Sequence, residues 1–317
     1  MGMHQEQYVN LDIPQLYDFV NPAYPDNVLS EILVLASDLD LIEATRIIPA
    51  IHHDIVDLFE GRFEGYRGSN TKYHDLEHTL SVVLCTARLL HGCATDCGHR
   101  QLRPFLLGII SAYYHDVGLI QTKDDTLGTG AKYTVGHEDR SIAFMREHLS
   151  KAGLSEQDLT DISDMIRCTI LSASPDAIEF SSEQVAHVAR IMGSADLLAQ
   201  LADRNYLEKL LLLFKEFEEA KLPGYTSELE LLHKTEAFYT HVAKPRLDGP
   251  LGNMQRFMIR HFNRRWETNH DLYAEAIERN MEHLAMVLKA CGDSYDCLLK
   301  KLNRAGIAEL ERLRLEK

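Results

Sequence analysis

Apolar residues along this chain recur mainly at intervals of three and four, the period of a helix that buries one face. Between residues 75 and 90, Leu76, Leu80, Val83, Leu84, Ala87 and Leu90 fall in one stripe. The same spacing predicts a helix over residues 26–48, broken at Ile48-Pro49, and a short one over 52–63. Further helices are expected over 104–114, 137–152, 155–170, 182–201, 205–221, 227–243 and 253–290, then from 294 to the end. In the longest of these, Phe262, Trp266, Tyr273, Ile277, Met281, Leu284 and Leu288 share a face. Ser155 followed by Glu156, Gln157 and Asp158 is a capping pattern with an acidic first turn. Alternating strand patterns are scarce. The expectation is an all-α fold, one compact multi-helix domain. Residues 1–70 form a helical lead-in packed on the main body, 71–290 the body itself, and 291–317 a C-terminal helix. Gly61, Gly65 and Gly68 mark one loop; residues 121–136, with Gly128, Gly130 and Gly136, are the best candidate for a loop over an active site.

With 317 residues, 45% hydrophobic and 26% charged, the chain can bury one large core and is not disordered as a whole. No apolar run approaches the roughly 18 residues that a membrane span needs. The net charge of −15 excludes a general nucleic-acid coat, so no nucleic-acid polymer is expected as a partner. A small phosphate ester stays open, because a metal ion overrides the global field locally. The first ten residues are polar, with no signal-peptide core behind them, and six cysteines at this length require no disulfide framework. Both features point to a reduced, cytoplasmic chain.

Three polar groupings interrupt the apolar helices, where such residues are costly to bury unless paired or metal-bound. The first is Tyr73-His74-Asp75-Leu76-Glu77-His78, with His74 and His78 four apart and so on one helical face. The second is His115-Asp116, directly after the apolar run from Phe105 to Tyr114. The third is Asp196, among residues that otherwise read as a packed helix. His78, His115, Asp116 and Asp196 together offer two imidazoles and two carboxylates. That set suits Zn²⁺, Mn²⁺, Fe²⁺, Co²⁺ or Mg²⁺, and not Cu(I).

With these residues the sequence resembles the HD-domain metal-dependent phosphohydrolases, and more closely the catalytic domain of the cyclic-nucleotide phosphodiesterases. The family's Tyr-His-Asn-x-x-His motif is matched by Tyr73 to His78 with Asp75 in place of Asn. Its His-Asp pair is similar to His115-Asp116. Its Ala-Asp-Leu motif is similar to Ala195-Asp196-Leu197, followed by Phe214-Lys215-Glu216-Phe217. The segment from Gln255 to Glu267 resembles the base-binding helix, which implies substrate-binding roles for Phe257 and, one position off the expected spacing, Gln255. Two departures stand out. Leu119 occupies the place of a further family His near the second metal. His137, in Gly136-His137-Glu138-Asp139, resembles a later His at a helix start in other HD phosphohydrolases, as a second-metal or substrate ligand.

The resemblance implies one or two divalent ions, with Asp116 shared between them and a metal-bound hydroxide attacking phosphorus. His74, one turn before a ligand, is the expected general acid for the leaving oxygen. Glu77 or Asp75 could orient an imidazole or a bound water. The implied activity is opening of 3′,5′-cyclic nucleotides to 5′-monophosphates. The alternatives are an HD phosphohydrolase acting on nucleoside mono- or triphosphates or another phosphorylated nucleotide, and a non-catalytic helical binding module. Phe257 favours the first, whereas His137 and the missing His at 119 favour the second. A homodimer contact through the first 70 residues is compatible with the sequence.

Other groupings offer less. His91, Cys93, Cys97 and His99 lie within nine residues, but without a standard zinc spacing. His52-His53-Asp54 reads as a surface or cap group. Arg260, Arg264 and Arg265, near Lys244 and Arg246, read as a solvated face or as ion-pair partners. No P-loop or Rossmann fingerprint is present.

Overall fold

The structure is a computed structural model that describes residues 15–97 and 101–315. Helices α1 (Leu16–Phe19), α2 (Pro25–Asp38), α3 (Ala44–Phe59), α4 (Leu76–Cys97) and α5 (Leu102–Tyr114) make up the first part. Then follow α6 (His137–Lys151), α7 (Glu156–Arg167), α8 (Glu183–Ala202), α9 (Tyr206–Glu219) and α10 (Glu228–Phe238). The chain closes with α11 (Lys244–Asp248), α12 (Met258–Trp266), α13 (Leu272–Cys291), α14 (Tyr295–Leu302) and α15 (Ile307–Leu315). No strand occurs among the described residues, only a single antiparallel bridge between Tyr66 and Thr122. The all-α expectation holds, in one compact domain.

Helix α4 forms the axis of the fold, packed on α2, α5, α8 and α12. Its Leu80, Val83, Leu84, Ala87 and Leu90 are all buried, as the stripe requires. Helix α8 is buried on nearly every side from Val185 to Ala202. The Ser155 and Ser182 hydroxyls cap α7 and α8 by accepting from the amides of Asp158 and Val185.

Three helices expected from the sequence are each broken in two: the one from residue 294 onward divides into α14 and α15, and the breaks in the other two share one cause. Asp40, with φ +62°, ends α2 in the left-handed region, and the Leu41 amide reaches back to the Ala36 carbonyl at 2.9 Å. Pro49, the expected break, instead lies inside α3. Likewise Glu267, with φ +54°, ends α12 and separates it from α13 inside the span 253–290. Left-handed caps are usually glycine, so a charged residue in that role leaves no mark on the apolar pattern. In the other direction, α4 runs almost two turns past the predicted end at residue 90.

The expectation of a wholly reduced chain is corrected. Cys291 and Cys297 form a disulfide across the turn from α13 to α14, while Cys85, Cys93 and Cys168 carry free thiols. No helix among the described residues is long and apolar enough to cross a membrane.

Candidate metal centre

Four elements bring their polar residues to one point. The first turn of α4 supplies His78, with His74 just before it. The end of α5 supplies His115 and Asp116, the start of α6 supplies His137, and the middle of α8 supplies Asp196. Each position is fixed locally. The Asp75 carboxylate accepts from the His78 amide at 2.9 Å and so caps α4. The His115-Asp116 turn is locked to α6 through Ser141, whose hydroxyl donates to the His115 carbonyl and accepts from the Gly118 amide. Arg140 donates to the Gly118 carbonyl. Gly118 is required there, because a Cβ would stand 2.1 Å from the His137 carbonyl oxygen.

The two oxygens of Asp116 divide the cluster. Oδ2 lies 3.2 Å from His115 Nε2 and 3.4 Å from His78 Nε2, while Oδ1 lies 3.2 Å from His137 Nε2. Asp196 Oδ1 lies 3.5 Å from His78 Nε2 and 3.7 Å from His115 Nε2. Two donors each about 2.1 Å from one ion lie roughly 3–3.5 Å apart, so the spacing fits a shared cation. His78, His115 and Asp116 offer ligand atoms that all lie within 4.8 Å of one another.

The hydrogen-bonding state of the rings supports the same fit. His115 Nδ1 lies 2.8 Å from the Ala112 carbonyl and His137 Nδ1 lies 2.8 Å from the Thr134 carbonyl. A carbonyl only accepts, so each Nδ1 carries the proton, which leaves Nε2 of a neutral ring with its lone pair turned to the carboxylates. His115 Nε2 and Asp116 Oδ2 are fully buried without a hydrogen-bond partner. Lone pairs facing each other in a buried site need a positive charge between them, a metal ion or a proton. Without an ion the protons take that place. Burial opposes charge on His115 and on His137, but the Asp116 carboxylate outweighs it and raises both to about 9. Burial likewise opposes ionisation of Asp116, and the surrounding imidazoles hold its carboxyl well below the usual range.

His74 stands apart from this cluster. Its Nδ1 lies 2.6 Å from Glu216 Oε2, and Glu216 Oε1 accepts from the amides of Lys72 and Tyr73, both at 2.7 Å. Burial lowers the tendency of His74 to charge, but Glu216 prevails and raises the imidazole above its ordinary range. The orienting role expected of Glu77 or Asp75 is therefore corrected. Asp75 caps the helix, Glu77 faces Lys209 at 3.3 Å, and Glu216 holds the ring. Glu216 is almost fully buried, but in the sequence it stands beside Lys215 and near Glu218 and Glu219, so nothing there marks it out.

His74, His78, Asp116, His137 and Asp196 open into a cavity of about 440 Å³. One wall is a face of α9, with Tyr206, Leu210, Leu213 and Phe217 at spacings of four and three. The facing wall is α10 and the π-helical turn after it, with Leu231, Thr235, Phe238 and Val242 at the same spacings. Thr134 and His137 of the 121–136 region and its boundary reach the cavity, so this loop does border the site. It is pinned through Thr129 to Glu219 and through Asp125 to Lys132 and Tyr133.

Phe257 and Gln255 are not in this cavity, and their substrate-binding roles are corrected. Phe257 is buried beside His187, and its carbonyl oxygen would stand 2.1 Å from a Cβ on Gly92. Gly92 follows His78 by 14 residues on α4, about 21 Å along the axis at 1.5 Å per residue. Gln255 Nε2 donates to Asp248. The tight register of the turn before α12 against α4, with glycine at the crossing, gives Phe257 a packing role instead.

A family model described as Npun_R2479-like matches residues 122–258. No curated protein and no solved structure matches the chain. The matched segment contains His137, Asp196, Glu216 and both cavity walls, and begins after His78, His115 and Asp116.

The remaining groupings resolve as follows. His52 is buried and bonded to the Tyr113 hydroxyl at 2.8 Å, a core residue and not a surface cap. His91 pairs with Asp38, and Cys93 Sγ lies 3.2 Å from His187; the Cys97 side chain and His99 lie outside the described residues. Arg264 pairs with Asp38, Arg265 with Glu31 and Lys244 with Asp248. Arg246 donates to the carbonyls of Cys168, Ile170, Leu171 and Ala173.

Proposed function

We propose that this protein is a metal-dependent phosphohydrolase, with His78, His115, Asp116 and Asp196 holding one divalent ion and Asp116 with His137 serving a second position. The observation that carries this reading is the buried Asp116 carboxylate, each oxygen of which faces a different imidazole nitrogen. When bound, the ion would neutralise phosphoryl charge and acidify a water molecule. The chain's own residues supply the rest. Glu216 takes the Nδ1 proton of His74 as a hydrogen bond and fixes the ring, leaving Nε2 as the nitrogen able to pass a proton to the leaving oxygen. A structural or storage site for metal has no use for a separately held, charge-stabilised histidine beside it, which speaks against a purely binding module.

Hydrolysis of a monoester and opening of a 3′,5′-cyclic diester both fit this chemistry. The position of His137 favours the wider HD phosphohydrolases, and the position of Phe257 removes the base-binding argument for the cyclic substrates. The test is hydrolysis after stripping with EDTA and refilling with Mn²⁺, Mg²⁺, Zn²⁺ or Fe²⁺. Cyclic AMP, cyclic GMP, nucleoside monophosphates and triphosphates, and p-nitrophenyl phosphate make up the panel. Asp116→Ala is expected to lose bound metal, read by elemental analysis, and to lose turnover by at least ~10³-fold. Full activity in that variant would overturn the assignment.

A further inference from the structure

We infer that the substrate carries a single phosphoryl group on an uncharged, largely apolar organic moiety, which lies between α9 and α10 against Phe217, Tyr225 and Phe238. This deepens the hydrolase reading and rests on it. The first argument is charge. Among the described residues no Lys or Arg lines the cavity, whereas Asp116, Glu138 and Asp196 do. Several of the cations nearby are committed elsewhere. Lys209 is paired with Asp203 at 2.7 Å and with Glu77. Arg140 is bonded to the Gly118 carbonyl, and Arg246 to the carbonyls that follow α7. Lys234 lies over the Tyr225 ring but pairs with Glu230 and the Gly224 carbonyl, and does not line the cavity. One phosphoryl group beside the metal positions and His74 can be neutralised. A polyphosphate tail would extend its further charges along leucine and phenylalanine walls, where an uncompensated charge is very costly.

The second argument is shape and surface. The two walls present matched apolar faces at helical spacing but leave a gap of this size between them, with Leu222 and Pro223 completing it. Phe217 and Tyr225 are stacked, ring centroids 5.9 Å apart and planes 18° from parallel. Phe217 follows Glu216 directly, so the aromatic pair is anchored on the residue that holds His74. Polar groups on this side are few: the hydroxyls of Thr169, Tyr206, Tyr225 and Thr235, and Gln200, the last already accepting from the Tyr73 hydroxyl. Such a lining recognises an aromatic or aliphatic group with at most a few hydrogen bonds, and does not suit a sugar phosphate.

The experiment is calorimetric binding of two probes to Mn²⁺-loaded protein, 1-naphthylmethylphosphonate and methylphosphonate, with adenylyl-imidodiphosphate as the polyphosphate probe. Burial of the aromatic group should make the naphthyl compound about 10- to 100-fold tighter than the methyl one. Phe217→Ala and Phe238→Ala should each remove most of that advantage while Mn²⁺ binding is unchanged. Tyr225→Arg places a cation in the cavity and should raise the affinity for the triphosphate analogue itself above that of the parent, a gain that misfolding cannot imitate. Equal affinity for the two phosphonates, or a triphosphate analogue that binds as tightly as the naphthyl probe, would overturn the inference and leave the hydrolase reading standing. Mn²⁺ bound with no affinity for any of the three would overturn both.

Discussion

At the level of single residues, the proposed hydrolase reading rests its acid on the pair His74–Glu216. A carboxylate at 2.6 Å stabilises the charged imidazole against the cost of burial, and so keeps it protonated to higher pH than a solvated histidine. Glu216→Gln removes that charge. The amide nitrogen would also donate to His74 Nδ1, which favours the neutral ring and leaves a much weaker acid at Nε2. If His74 delivers the proton, the alkaline limb of the pH–kcat profile should move to lower pH in Glu216→Gln, and kcat at pH 8 should fall by about 10²-fold or more. Metal content should stay that of the parent, because Glu216 is not among the ligands. An unchanged alkaline limb would separate Glu216 from catalysis and leave it as an anchor for the Lys72 and Tyr73 amides.

Among the helices, the site depends on how closely α6 approaches the turn after α5. Gly118 is the contact, and the His137 carbonyl fills the space a side chain would need. Gly118→Ala should force α6 away and separate His137 from Asp116. The expected cost is roughly 1–3 kcal/mol of stability, in the range for overpacked contacts, with a loss of the second metal per chain in a titration followed by elemental analysis. Retention of both ions at parental affinity would show that His137 is not a ligand. The same scale accounts for what the sequence disclosed. His78, His115, Asp116 and Asp196 were legible because imidazoles and carboxylates inside apolar helices are too costly to bury without a partner or an ion. Phe257 was misplaced because an apolar residue in a helix looks the same facing a cavity or a neighbouring helix; only the register against Gly92 distinguishes them. Glu216 went unassigned because its partner lies 142 residues away. The cavity walls share the spacing of any packed helix pair, so the gap between them has no sequence signature at all. The ends of α2 and α12 were hidden by Asp40 and Glu267, which adopt a glycine-like conformation without being glycine.

For the whole molecule, metal binding at the proposed centre would couple to stability, and the coupling would have a direction in pH. In the metal-free protein His115 and His137 are raised to about 9, from an unfolded value near 6.5. A histidine whose pKa is raised by folding contributes stability that is fully present below about 6.5. That contribution is lost as the pH rises through about 9. The stripped protein should therefore lose stability across this window, as Asp116 and Asp196 are left facing neutral rings. A metal-loaded protein would need those same rings neutral as ligands, and metal binding would grow stronger as protons cease to compete. The difference in melting temperature between loaded and EDTA-treated protein should thus widen from pH 6.5 to 9. An ion present at 100 times its Kd adds about 2.7 kcal/mol, roughly 4 °C for a chain of this size. In Asp116→Ala the difference should be near zero at every pH, because the carboxylate that both raises the histidines and bridges the metal positions is gone. A gap that is constant with pH in the parent protein would mean that the ion does not displace protons from these histidines, and would place it elsewhere in the fold.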